Sequence, residues 1–293
     1  MKAIKIISTV IIVVLLFVAE SLLMGIFAVD RAVSDDSIRS AMKESDIVAR
    51  LVDEAISEST VNMGGEYGDM IEEVFRTEAM NDFLGDYLKA AIDMELYGKE
   101  YEEIADDELT RAFSQGIDEV NEAGTYSISP MEEEFMKQAM QQAAPDLTED
   151  LNRQVGRYES LDGENTGNAL NKDLSDVTVM KPLTKIILVI FIMGMCAALV
   201  LLCRKSRLGF LWCCIITALV SVIYMGMDAL VSSMSFDSAA DHMMFLMAQN
   251  GFGTVSAAGF AAAAAFLIAF IIFKLTGRRS RNEKDIETAK RIA

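Results

Sequence analysis

The chain has 293 residues, 52% of them hydrophobic, and still carries a formal net charge of −18. Those values coexist only if the charges are segregated: residues 30–181 hold 37 Asp/Glu against 13 Lys/Arg, and the rest of the chain holds 7 acids and 13 bases. The pattern excludes nucleic-acid binding by the acidic stretch, which has no basic patch, and describes an aqueous segment set in an apolar, basic frame.

Residues 1–5 are expected to be a short cytoplasmic N-terminus carrying Lys2 and Lys5. Residues 6–29 follow as transmembrane helix 1, interrupted by one charge, Glu20. Spanning about 30 Å of hydrocarbon takes about 20 apolar residues at the helical rise, and this run is long enough. The run Ile6–Ala19 behind two lysines also resembles a signal peptide. Cleavage after Ala19 or Ala28 would place Phe17 or Ile26 where a small residue is needed. An uncleaved anchor is therefore expected.

Residues 30–182 read as an acidic extracytoplasmic domain of short helices packed as a bundle. Apolar residues recur at intervals of three and four. One stripe is Val48, Leu51, Val52, Ala55 and Ile56, and a second is Met70, Ile71, Val74 and Phe75. Further stripes run Met80–Ile92, Leu109–Val120 and Phe135–Met140, with a last one at Leu151, Val155, Tyr158 and Leu161. Breaks are expected at Gly64-Gly65, Gly98, Gly124 and Gly163. Ser129-Pro130 has the chemistry of an N-cap and first helical residue, and that helix is expected to stop at Pro145. The domain has no cysteine, so its core must hold it without disulfides. Acidic runs such as Asp106-Asp107-Glu108 are read as solvated helix faces.

The segment Asp162–Asp173 loosely matches a twelve-residue calcium loop, with Asp162, Glu164, Thr166 and Asp173 at ligand positions and Gly167 at the turn. Glu stands at position three and Asp at position twelve, where the loop prefers Asp or Asn and Glu. An ordinary polar linker explains the segment as well, and no cofactor is expected.

Residues 183–203 are expected as transmembrane helix 2, 204–207 as a cytoplasmic turn, and 208–231 as transmembrane helix 3, which carries Asp228. Residues 232–253 read as an extracytoplasmic loop and 254–274 as transmembrane helix 4. Residues 275–293 form a basic cytoplasmic tail. With the N-terminus inside, 12 of the 13 bases beyond the acidic stretch fall on the cytoplasmic side, and only Lys185 falls outside.

Glu20 and Asp228 are the candidate intramembrane site, because an ionisable group inside a span is costly. One reading is a shared cation or proton site; the other is a polar helix contact for Glu20 and an interfacial place for Asp228. A neighbour in the third span, beside Ser221 and Tyr224, is expected for Glu20. His242 is the sole histidine. No activated serine motif or exterior cysteine accompanies it, so no catalytic residue is named and no enzyme is expected. The apolar stretch Met243–Met247 behind it reads as an interfacial helix, with thioether copper binding as the alternative.

The stretch Ser37–Ala55 (SIRSAMKESDIVARLVDEA) resembles the start of the outer domain in a diffuse group of bacterial multi-pass membrane proteins with an extracytoplasmic helical domain. The group carries no known activity, and the resemblance implies only a bacterial source. A large domain between spans one and two of four is also similar in topology to ABC-transporter permease subunits. This chain departs from them in having only four residues between spans two and three. The expected role is a non-enzymatic cell-envelope protein that binds a protein partner or senses a ligand through its outer domain. A transporter subunit using Glu20 and Asp228 is the alternative.

Overall fold

The structure, a computed structural model, describes residues 2–45, 47, 66–124, 126, 128–161, 182–203, 208–234 and 238–292. Every regular element among the described residues is a helix. In chain order these are α1 (Lys2–Ala32), α2 (Asp35–Ser45), α3 (Glu66–Phe75), α4 (Glu78–Tyr97), α5 (Asp106–Ala123), α6 (Pro130–Leu161), α7 (Pro182–Leu202), α8 (Gly209–Ser232) and α9 (Ala239–Ile292). The chain divides into two compact units. The first comprises Met1–Arg31, Val179–Met234 and Ala248–Ala293; the second comprises Ala32–Thr178 and Ser235–Met247.

The first unit is built on four helices long and apolar enough to cross a membrane, with apolar stretches at Lys5–Ala32, Pro182–Leu202, Gly209–Ser232 and Ala240–Thr276. Their large side chains are mostly uncovered: Ile6, Ile187, Ile190, Leu201 and Ile272 are all more than half exposed. Water would penalise so much bare apolar surface, whereas lipid tails would not. The interior of this unit is small: Leu16, Cys196, Leu199, Cys213 and Ile216 form a buried cluster. Phe210 of α8 and Phe273 of α9 stack at 5.1 Å between ring centroids. α7 and α8 pack against one another. They approach closely at Gly209, which faces the backbone of Leu199 and Val200.

The second unit has its main core where α3, α5 and α6 meet. Met70, Val74, Leu109, Phe113, Ile117, Val120, Met136, Met140 and Ala144 are buried there. They are the apolar stripes of the sequence, turned inward at helical spacing. Phe75 and Phe113 meet edge to face at 6.0 Å. A second cluster joins Ile38, Ala41 and Met42 of α2 to Met243 and Met247 at the head of α9. Arg39 reaches across from α2 to Asp82 and Asp86 of α4, one carboxylate per guanidinium nitrogen.

Helix ends follow local chemistry. α4 and α5 stop at Gly98 and Gly124, whose φ values of 61° and 68° only glycine adopts without strain. At the start of α6, the Ser129 amide donates to Glu132 Oε2 at 2.8 Å, and the Glu132 amide faces Ser129 Oγ at 3.4 Å. That is a capping box, with Pro130 in the first turn.

Two expectations need revision. The helix expected to stop at Pro145 continues through it to Leu161. Proline removes one backbone hydrogen bond and crowds the preceding turn, but burial outweighs that cost here. Ala144 and Thr148 are both buried, and the Thr148 hydroxyl caps the Ala144 carbonyl at 2.8 Å and also contacts the Asp106 carboxylate of α5. The stretch 232–253, expected as an extracytoplasmic loop with an interfacial helix at Met243–Met247, is helical from Ala239 onward, and α9 runs unbroken into the fourth apolar stretch. Ala, Met, Leu and Gln dominate its first turns and no proline interrupts them, so nothing local ends the helix. The stripe Val48–Ile56 and the Gly64-Gly65 and Gly163 breaks lie outside the described residues.

Candidate functional site

Glu20 lies on α1 and is the one charge in the run from Ile6 to Val29. The helix turns it inward: the residue is 6% exposed, comparable to Ala19 beside it. Thr217 of α8 donates its hydroxyl to Glu20 Oε1 at 3.1 Å, a bond between residues 197 positions apart. The other oxygen, Oε2, is buried and has no hydrogen-bond partner among the described residues. One turn up α8, Ser221 is fully buried and donates to the Thr217 carbonyl at 2.7 Å. Tyr224, further along α8, donates to the Ser21 carbonyl at 2.8 Å. On the opposite side lies the cluster of Leu16, Cys196 and Cys213. Cys196 of α7 and Cys213 of α8 meet in that cluster, and both thiols are free. α9 approaches through Gly259; a side chain there would run into Ser221 Oγ and Met24 Cε. The result is a small polar pocket inside an apolar helix bundle, with one acidic oxygen unmatched. A carboxylate so placed costs at least ~2.5 kcal/mol when nothing compensates it.

The expected neighbour for Glu20, the third span with Ser221 and Tyr224, is the helix found there. Asp228 is not part of the same pocket. It lies eleven residues beyond Thr217 on α8, about 16 Å along the helix axis. Its carboxylate stands instead near Gly253 of α9, 3.8 Å from where a Cβ would be. Just beyond it, Gln249 donates to Ser232 Oγ at 2.8 Å. The two carboxyls therefore occupy separate levels, because the turn that brings Glu20 onto α8 meets it at Thr217. Thr217 itself was missed in the sequence. Its only signal was the pair Thr217 and Ser221, four residues apart on one face of an otherwise apolar helix. Lys185, the one base that the orientation rule leaves outside, forms an ion pair with Asp30 of α1.

The second unit offers two surface features. An open groove of about 500 Å³ is lined by Glu103, Ile104, Asp106, Thr148, Asn152 and Arg153. Its polar groups are largely engaged in holding the chain. Asn152 bonds the Ile104 amide at 2.9 Å and the Ile104 carbonyl at 3.1 Å, and accepts from the Tyr101 hydroxyl at 2.8 Å. Burial, with Tyr87 and Glu103 nearby, pushes the Tyr101 phenol up to about 12. The other feature is an uncovered apolar stripe on α6. Met131 is 84% and Phe135 67% exposed, and Ala139, Ala143 and Leu147 continue at four-residue intervals.

No group of three or more His, Cys, Asp or Glu among the described residues is arranged to hold a metal ion. Asp162, Glu164, Thr166 and Asp173, the calcium-loop candidates, lie outside the described residues. His242 is half-buried at the head of α9. No protein-family model, curated protein or solved structure matches the chain.

Proposed function

We propose that this chain is a non-enzymatic, multi-pass protein of the cell envelope whose acidic helical unit stands on the extracytoplasmic side and binds a partner protein through α6. The observation that carries the reading is the stripe Met131, Phe135, Ala139, Ala143 and Leu147. A soluble acidic domain that buries Met136, Met140 and Ala144 of the same helix has no folding reason to leave Met131 and Phe135 bare. Exposed aromatic and thioether side chains in a polar rim are the usual anchors of a protein interface. Glu132, Glu133 and Glu134 supply that rim. They disfavour an anionic lipid surface as the occupant and favour a partner with basic residues around an apolar patch. The lysine and arginine distribution supports the proposed orientation, with the second unit outside.

Two measurements test this. Reporter fusions at residue 100 and near 243 are expected to report the outside, and fusions near 206 and 285 the inside; a cytoplasmic signal at 100 ends the proposal. A photocrosslinking residue at position 135, in the intact protein in native membranes, is expected to give one discrete protein adduct. Met131→Glu should abolish that adduct while leaving the protein level unchanged. Lipid adducts alone, or an adduct indifferent to Met131→Glu, would remove α6 as the binding face.

A further inference from the structure

We propose that Glu20 is a proton-binding site within the helix bundle, with Oε2 as the atom that holds the proton and Thr217 as the group that orients the carboxyl. The site goes beyond partner binding and does not depend on it. It follows from how a carboxyl buried among apolar helices can be compensated. Contact with water is closed off, since Oε2 is buried and the whole residue is 6% exposed. Among the described residues, no base is bonded to Glu20. Thr217 of α8 bonds Oε1, with Ser221 one turn beyond it; Tyr224 bonds the backbone of Ser21, next in the chain; Gly259 of α9 packs on Ser221 and Met24; and Cys196 and Cys213 lie in the cluster of Leu16, one turn before Glu20 on α1. None of these is a base. Lys185 pairs with Asp30, ten residues along α1 from Glu20, or about 15 Å at the helical rise.

A bound metal cation fits poorly. Calcium and magnesium take six or more oxygen ligands, and no group of three or more His, Cys, Asp or Glu among the described residues is arranged to hold such an ion. Oε1 accepts from Thr217, the Thr217 carbonyl accepts from Ser221, and the Ser21 carbonyl accepts from Tyr224. Among the described residues, Glu20 Oε2 is a buried side-chain oxygen without a hydrogen-bond partner. A proton needs one oxygen, and it removes the charge that makes burial costly. The Thr217 hydroxyl can bond Oε1 in either state, so the carboxyl keeps its orientation while the proton comes and goes. Losing the proton leaves a bare charge at the contact of α1 with α8, so the two helices are bound more tightly with the proton on. Glu20 thereby links proton occupancy to helix packing.

The test is infrared spectroscopy of the intact protein in lipid at neutral pH. The carbonyl stretch of a protonated carboxylic acid is expected in the wild type. It should be lost in Glu20→Gln and retained in Asp228→Asn. Identical wild-type and Glu20→Gln spectra in that region would overturn the proposal. Where Glu20→Gln fails to insert, the wild type decides alone through dicyclohexylcarbodiimide. This apolar reagent adds across a protonated carboxyl, with no leaving group, to give a stable acylurea. An adduct mapped to Glu20, and fading as pH rises, supports the site; a peptide containing Glu20 that stays unmodified at every pH overturns it.

Discussion

Gly209→Ala is expected to be the most damaging single-methyl change in the apolar helices. The added Cβ would stand 2.5 Å from Val200 Cα, 2.8 Å from Val200 N and 2.9 Å from the Leu199 carbonyl oxygen. All three are backbone atoms, so no side chain can rotate out of the way. α7 and α8 must move apart instead. That separation loosens Cys196 against Cys213 and opens the cluster of Leu199 and Ile216. Overpacking typically costs about 1–3 kcal/mol, and a clash with backbone belongs at the upper end. Gly194→Ala is the matched control: it lies on α7 with nothing within 4 Å of its added Cβ, and a change within about 0.5 kcal/mol is expected. Thermal unfolding of the two variants in the same detergent reads the difference. Equal midpoints for both would mean that α7 and α8 are not in close backbone contact.

Ile117→Asp is expected to unfold the helical core of the second unit. Ile117 sits fully buried on α5, inside the cluster formed with α3 and α6. The substitution removes a branched apolar side chain and places a carboxylate among Val74, Phe113 and Met140, with no base in that cluster. Each effect is worth a few kcal/mol, and together they rival the whole stability of a domain, about 5–15 kcal/mol. A fragment of residues 34–165 makes the measurement simple. Its main core draws on residues between Met70 and Ala144 alone, and the fragment contains no cysteine. Its circular dichroism is expected to be strongly helical and indifferent to reducing agent, and Ile117→Asp should lose most of that signal. Phe135→Asp, on the exposed face of α6, should leave the spectrum intact. A mainly β spectrum for the parent fragment would sink the bundle assignment.

These variants also separate folding from recognition. Phe135 and Ile117 lie on neighbouring helices, each on an apolar stripe of helical spacing in the sequence, yet one is exposed and the other is buried. Periodicity placed Ile117 in the core correctly, because α5 has a single apolar stripe with polar residues opposite. It placed Phe135 in the core too. There the stripe divides: Met136, Met140 and Ala144 turn inward, and Met131, Phe135 and Ala139 turn out. A helix with apolar residues on two faces does not say which one the fold will cover.

What the sequence by itself determined is local. The four apolar helices follow from run length against the helical rise, and the ends of α4 and α5 follow from Gly98 and Gly124. The start of α6 follows from Ser129, Pro130 and Glu132. Each depends on neighbours within a turn or two. The tertiary structure decided everything that depends on which way a helix faces. It matched Glu20 with Thr217 and set Asp228 apart from both. It brought Cys196 to Cys213 and drew Met243 and Met247 into the cluster of α2. It also carried α6 through Pro145, because the burial of Ala144 and Thr148 outweighed a lost backbone bond. A membrane helix apolar on every side has no stripe from which its rotation can be read. Its partners are fixed by the few polar and small residues it carries, and those find one another only when the helices pack.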